Sequence, residues 1–174
     1  TVDADGFQQH IYPDYDFARL PILPVEAPGG GVLTVPVDLP GRIVQATSLG
    51  AEDMVITDLI ARHGLPITLA TLDTGKLHAE TLALIPRIEQ RYGVQVDIYR
   101  PATEAVMHFV KRNGERAMFE SIALRKACCG LRKLEPLARM LAGASAWITG
   151  LRREQSGTRG SVPFNEPDDQ DRTK

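Results

Sequence analysis

Cys128 and Cys129 are the only cysteines in this chain of 174 residues, and they stand side by side. Arg125 and Lys126 precede them and Arg132 and Lys133 follow. Positive neighbours favour the thiolate, the form of cysteine that attacks disulfides and binds metals. Two cysteines can also serve as small buried hydrophobes, and the cationic flanks tilt the reading toward chemistry. Adjacent cysteines close only a strained ring, readily reduced at a cytosolic potential. The pair therefore reads as ligands or redox groups, not as a structural disulfide.

Three further polar groupings belong with the cysteines. Ser48-Leu49-Gly50-Ala51-Glu52-Asp53 and Asp73-Thr74-Gly75 each follow a short apolar run, and Gly150-Leu151-Arg152-Arg153-Glu154-Gln155-Ser156 follows a third. A polar, glycine-containing turn between a strand and a helix offers backbone N–H groups and a positive helix end to an anion. The plainer reading of the first turn is a helix capped by Ser48 or Asp53. The net charge of −2 conceals a strong asymmetry: residues 1–40 carry six acids against one base, whereas residues 100–160 carry twelve Lys or Arg against five acids. That excess suggests an anionic ligand held by the basic region. His63 and His108 have no partner at metal-ligand spacing, while His78 lies just beyond the second turn, within reach of a ligand there.

The elements that must position these groups alternate between β-branched runs and helical patterns, the signature of βαβ units and a parallel sheet. Strands are expected at 42–47, 65–72, 94–99 and 144–149. Helices are expected from Met54 to His63-Gly64, from Leu77 to Tyr92 with a stop at Gly93, and over 103–112, 115–124 and 132–141. Trp147, within the last strand, reads as core. Ligands of open parallel sheets bind beyond the carboxyl ends of the strands, so the turns at Ser48–Asp53 and Asp73–Gly75 should line one crevice that Gly150–Ser156 also reaches. Residues 1–40 hold six prolines and Gly29-Gly30-Gly31. Long helices are excluded there, and an irregular arm is expected, with a short edge strand over 31–37. The expected organisation is thus an arm over 1–40, an α/β domain with an anion-binding crevice over 41–156 and a polar loop or tail over 157–174. No apolar run approaches the roughly 18 residues of a membrane span, and the acidic start Thr1-Val2-Asp3-Ala4-Asp5 is unlike a secretory leader. The expected location is the cytoplasm.

The four segments Ser48–Asp53, Leu72–Gly75, Lys126–Lys133 and Gly150–Ser156, in this order, resemble the assimilatory sulfonucleotide reductases, and most of all their adenylylsulfate (APS) branch. The resemblance runs from about Gly41 to Ser156. It implies an adenine nucleotide alpha-hydrolase-like α/β fold that reduces APS to sulfite and AMP with electrons from thioredoxin. Under it, Ser48, Gly50 and Asp53 lie against the phosphosulfate or ribose, and Leu72, Asp73, Thr74 and Gly75 edge the adenine and ribose. Arg152 and Arg153 clamp the oxyanions, a task suited to a planar guanidinium fork. Lys126 tunes the electrostatics beside Cys128 and Cys129, which resemble half the ligand set of a 4Fe-4S cluster. The paired cysteines point to the APS branch rather than the cluster-free branch that uses the 3'-phosphorylated nucleotide (PAPS). The implied partners are APS or AMP, thioredoxin and a further copy of the chain, with no nucleic acid and no membrane.

The chain departs from the family in two respects. A 4Fe-4S cluster takes four thiolates, and two are present. The family supplies the others from a downstream Cys-x-x-Cys pair, and the nucleophile from a Glu-Cys-Gly-Leu-His tail. Neither occurs before Lys174, so the expectation is a chain incomplete for turnover and with no assignable catalytic residue. Residues 1–40 also differ from the helices that the family has there. The competing functions are a non-catalytic adenine-nucleotide-binding relative, a PAPS reductase, and a superfamily member that splits ATP at the alpha phosphate, such as a sulfurylase subunit. The double cysteine argues against the last.

Overall fold

The computed structural model describes residues 41–150. The arm expected over 1–40, its edge strand, the tail over 157–174, and Arg152 and Arg153 lie outside the described residues. Four parallel strands, β1 (Arg42–Thr47), β2 (Ile67–Leu72), β3 (Val96–Tyr99) and β4 (Ala144–Ile148), form one sheet in the order β3-β2-β1-β4. The first three strands step outward in one direction. The chain then returns to lay β4 along the free flank of β1.

Alternation along the strands sorts side chains onto two faces. Val44, Ala70, Met140, Leu141 and Ala144 form a core on one face, with Ala46, Leu72, Tyr99, Leu137 and Trp147 packed around it. Its helical side is α6 (Glu135–Leu141). Trp147 joins this core, as its place in a strand predicts. Full burial of side chains such as Val44 and Met140, both 0% exposed, contributes roughly 1.5–3 kcal/mol each. Arg42, at the start of β1, donates to the carbonyls of Met140 and Ala142, satisfying the free C-terminal acceptors of α6. The other face is covered by α1 (Ala51–Arg62) and α3 (Leu84–Tyr92), through Met54, Ile60, Ile85 and Ile88.

Asp58 ties those two helices together. Its carboxylate accepts from the Tyr92 hydroxyl at 3.0 Å and pairs with Arg62 at 2.7 Å. Burial first, and the Asp58 carboxylate second, raise the Tyr92 phenol above its ordinary 10.0. A raised folded-state value means that the unfolded chain releases this proton first, so the contribution is complete below pH 10 and falls as pH climbs through the raised value. Tyr92→Phe should therefore flatten the decline in stability above about pH 10, as read by urea unfolding at stepped pH. An unchanged alkaline limb would count against the Tyr92–Asp58 bond.

The helices depart from expectation wherever proline or a capping serine intervenes. The single helix expected from Leu77 to Tyr92 is divided into α2 (Ala79–Leu82) and α3. Pro86 has no N–H to offer the Leu82 carbonyl and crowds it, so the helical path breaks there. The helix expected over 115–124 does not form. After α4 (Thr103–Asn113) come a 3-10 turn (Ala117–Phe119) and then α5 (Ile122–Cys129), whose start is set by Ser121, its hydroxyl accepting from the Leu124 amide at 3.1 Å. The cysteines therefore close a helix as well as stand ahead of the next one. Between α5 and α6 the chain widens into a π-helical turn, Gly130–Leu134. Pro136 cannot donate to the Arg132 carbonyl, so the α pattern expected from Arg132 cannot be kept through that turn.

Candidate functional site

The strand order reverses between β1 and β4, which places a crevice beyond the carboxyl ends of those two strands. Asp53 closes its floor. This side chain is 2% exposed and uses both oxygens: one accepts from the Ser48 amide at 2.7 Å and the Ser48 hydroxyl at 2.5 Å, the other from the Gly150 amide at 2.6 Å. A single carboxylate thus joins the end of β1, the first turn of α1 and the end of β4. Gly150 comes so close that a Cβ would lie 2.7 Å from the Asp53 backbone nitrogen and 2.7 Å from its carboxylate. No side chain fits there.

The plainer reading, in which Ser48 or Asp53 caps α1, is not what forms. Gly50 is the N-cap and no side chain caps the helix, because Asp53 already sits inside the first turn and turns back to Ser48. Leu49, between β1 and α1, is 5% exposed and has a positive φ of 63°. A left-handed leucine costs roughly 1–2 kcal/mol; its amide is held by the Thr47 hydroxyl at 3.0 Å. Such strain, maintained by burial and hydrogen bonding, is typical of turns shaped for a ligand. Beneath the turn, Gln45 is fully buried in the central strand. It donates to the Asp53 carbonyl at 2.8 Å and accepts from the Thr57 hydroxyl at 3.0 Å. Sequence reasoning passed over Gln45; an amide set between the apolar Val44 and Ala46 of a strand was the available signal.

The second turn stands at the carboxyl end of β2. Asp73 accepts from the Gly75 amide at 3.1 Å through one oxygen and pairs with Arg100 at 3.0 Å through the other. Arg100 lies just beyond β3, so Asp73 links neighbouring strand ends. Thr74 is 7% exposed, and its carbonyl accepts from Arg132 at 2.8 Å. Gly75 has a φ of 70°, and a Cβ there would lie 3.2 Å from the Arg132 guanidinium. Lys76, next in the chain, pairs with Glu115, holding that carboxyl below the usual range.

The cysteine segment is thereby brought against the second turn. Cys128 is buried and Cys129 half-buried, and both are free thiols. Lys126 is exposed and shares a helical face with Cys129 rather than Cys128, since neighbours on a helix surface are three or four residues apart. Arg132, in the π-helical turn, is the contact that joins the two segments; sequence reasoning counted it only among the cations flanking the cysteines. Among the described residues no group of three or more His, Cys, Asp or Glu is gathered as a metal site, and no helix is long and apolar enough to cross a membrane. His78 is the N-cap of α2, beside the second turn. A separate open cleft of about 490 Å³ lies at the opposite, amino-terminal edge, between Ile60, Gly64, Leu65, Val94 and Asp97, and none of the residues expected to bind ligand lines it.

The model of the phosphoadenosine phosphosulfate reductase domain matches residues 42–173. The chain is 54% identical over 126 residues to the adenosine 5'-phosphosulfate reductase of Allochromatium vinosum, covering 72% of this chain and 49% of that protein. It is also 54% identical over 124 residues to the protein of the same name from Neisseria meningitidis serogroup A, covering 71% of this chain and 51% of that one. The chain spans about half the length of the curated relatives it matches. Among solved structures, the phosphoadenylyl-sulfate (PAPS) reductase of Candida auris, in its phosphate complex, is similar at a TM-score of 0.59 and 26% identity, over 75% of this chain and 62% of that one. The parallel sheet and this likeness agree with the adenine nucleotide alpha-hydrolase-like fold expected from the four segments.

Proposed function

Because the chain belongs to the phosphoadenosine phosphosulfate reductase domain family, we propose that it is the nucleotide-binding part of an enzyme that reduces APS to sulfite and AMP with thioredoxin as donor. The carrying observation is the Arg132–Thr74 bond, which holds the paired cysteines beside the turn at the end of β2. The APS branch is preferred to the PAPS branch because relatives named adenosine 5'-phosphosulfate reductase reach 54% identity, whereas the PAPS reductase of Candida auris stands at 26%. In the overall reaction the sulfur of APS gains two electrons and leaves as sulfite, AMP departs, and a thioredoxin dithiol becomes a disulfide.

In this reading the amides of Ser48–Gly50 and the first turn of α1 meet the anionic part of the nucleotide. Asp53 acts indirectly, by holding that turn and Gly150 in place, and the Ser48 hydroxyl shares this work through its bond to Asp53. Leu72, Asp73, Thr74 and Gly75 edge the adenine and ribose, and Arg152 and Arg153 take the phosphosulfate oxygens. Cys128 and Cys129 are two of the four thiolate ligands of a 4Fe-4S cluster, which is an electron-transfer and electrostatic group when bound. Two thiols alone do not complete it. Lys126 tunes the charge around that pair, and the enzyme works in the cytoplasm, the compartment in which free thiols persist.

Titration calorimetry tests this reading. The chain is expected to bind APS more tightly than PAPS, and the Arg152→Ala/Arg153→Ala double variant is expected to weaken APS more than adenosine, about tenfold or more for the loss of charge-assisted bonds. Tighter binding of PAPS would favour the other branch. Equal weakening of APS and adenosine would remove the two arginines from the phosphosulfate.

A further inference from the structure

Arg132 is a buried cation that forms no ion pair among the described residues. It is 8% exposed, its Nη1 donates to the Thr74 carbonyl at 2.8 Å, and its Nε is buried with no hydrogen-bond partner. Guanidinium does not lose its proton in a protein, and burying a charge with no counter-charge is costly. The carboxylates that line the neighbouring turns are engaged elsewhere. Asp73 is taken by Gly75 and Arg100, Asp53 by Ser48 and Gly150, and Glu115 by Lys76. The Arg132 charge lowers the Glu115 carboxyl only weakly beside the Lys76 pair, from beyond ion-pair distance.

We propose that Arg132 is a positioning and specificity residue of the nucleotide crevice: it clamps the Asp73–Gly75 turn, and its buried charge, paired with no carboxylate among the described residues, selects a ligand bearing a phosphate ester over the neutral nucleoside. This rests on the nucleotide reading above. Nε is out of solvent reach, so the charge acts across the turn rather than through a bond from that atom. In a poorly polarisable interior such a field extends over several ångströms and is little screened by salt. Gly75 eases the arrangement, since its φ of 70° favours glycine and a Cβ there would crowd the guanidinium at 3.2 Å. The cysteine helix thereby contributes charge, as well as thiols, to the ligand end of the sheet.

The probes are AMP and adenosine, titrated calorimetrically into the 174-residue chain and its variants. Arg132→Met is expected to lower the preference for AMP over adenosine about tenfold, near 1.4 kcal/mol. Arg132→Lys, which keeps the charge and shortens the reach, is expected to restore most of that preference even where both affinities fall. Equal weakening of both ligands by Arg132→Met would reduce Arg132 to a structural support and overturn the proposal. If Arg132→Met does not fold, Arg132→Lys decides: loss of the AMP preference with the charge retained would overturn it as well. Adenosine bound by the unaltered chain with no preference for AMP would overturn this inference alone, whereas binding of neither probe would overturn the nucleotide reading beneath it.

Discussion

Mixed with APS and reduced thioredoxin, the 174-residue chain is expected to hold nucleotide and to release no sulfite above the protein-free level. Transfer of the sulfo group to an enzyme needs a thiolate that reaches the sulfur, followed by a second thiol that resolves the covalent intermediate. The chain has two cysteines. Cys128 is 6% exposed, at the end of a helix and within packed surroundings, which is a poor place for a nucleophile that must meet a bound substrate and then a protein partner. In the proposed enzyme both thiols are also committed as ligands. Binding of AMP should survive, because the β1–α1 turn, the β2 turn and Gly150 are held by contacts that involve neither cysteine. The loss in turnover is total, while the loss in affinity is small. Sustained sulfite release that required Cys128 or Cys129 would make these residues redox nucleophiles and sink their assignment as cluster ligands.

Replacing Asp53 by Asn is expected to destabilise the fold by about 3 kcal/mol, nearly as much as Asp53→Ala, and to abolish AMP binding at concentrations that saturate the unaltered chain. All three groups facing this carboxylate are donors: the Ser48 amide, the Ser48 hydroxyl and the Gly150 amide. An asparagine has one acceptor oxygen, and its NH2 must face a donor on one side or the other, so at least one buried bond becomes a donor–donor opposition. Hydrogen bonds to charged groups contribute roughly 1.5–3 kcal/mol, and a donor left unmade costs about 1–3 kcal/mol more. Ser48→Ala removes one donor and leaves the other two bonds, so about 1 kcal/mol is expected. Urea unfolding midpoints check the order, and calorimetry checks the binding. An Asp53→Asn variant within about 0.5 kcal/mol of the unaltered chain, the range of neutral surface changes, would show that the carboxylate does not hold the crevice together.

Much of the sheet was legible in the residues because its signal is local. Arg42–Thr47 was expected as a strand with these bounds, and the parallel order followed from strands alternating with helical patterns. The helix ends were less legible. Pro86 and Pro136 were visible, but whether a proline kinks, splits or widens a helix depends on which carbonyl it deprives, and on what packs around it. The expectation of a helix over 115–124 failed because Ser121 could continue a helical pattern or begin a new helix. The Ser121 hydroxyl, accepting from the Leu124 amide, fixes the second.

By itself, the sequence determined residue chemistry and periodicity: two adjacent thiols among cations, polar turns at strand ends, and apolar stripes that must be buried. These are properties of neighbours along the chain, and they suffice for an α/β sheet and a set of candidate groups. Only the tertiary structure decided which candidates work on one another. Asp53 reads as a ligand-facing carboxylate in sequence and becomes an internal tie once β4 brings Gly150 to it across 97 positions of chain. Arg132 reads as one cation among several, and becomes the buried one among the described residues once its π-helical turn lays it on Thr74, 58 positions away. Burial and long-range hydrogen bonding turn a residue type into a role, and both arise only when distant segments close on each other and exclude water.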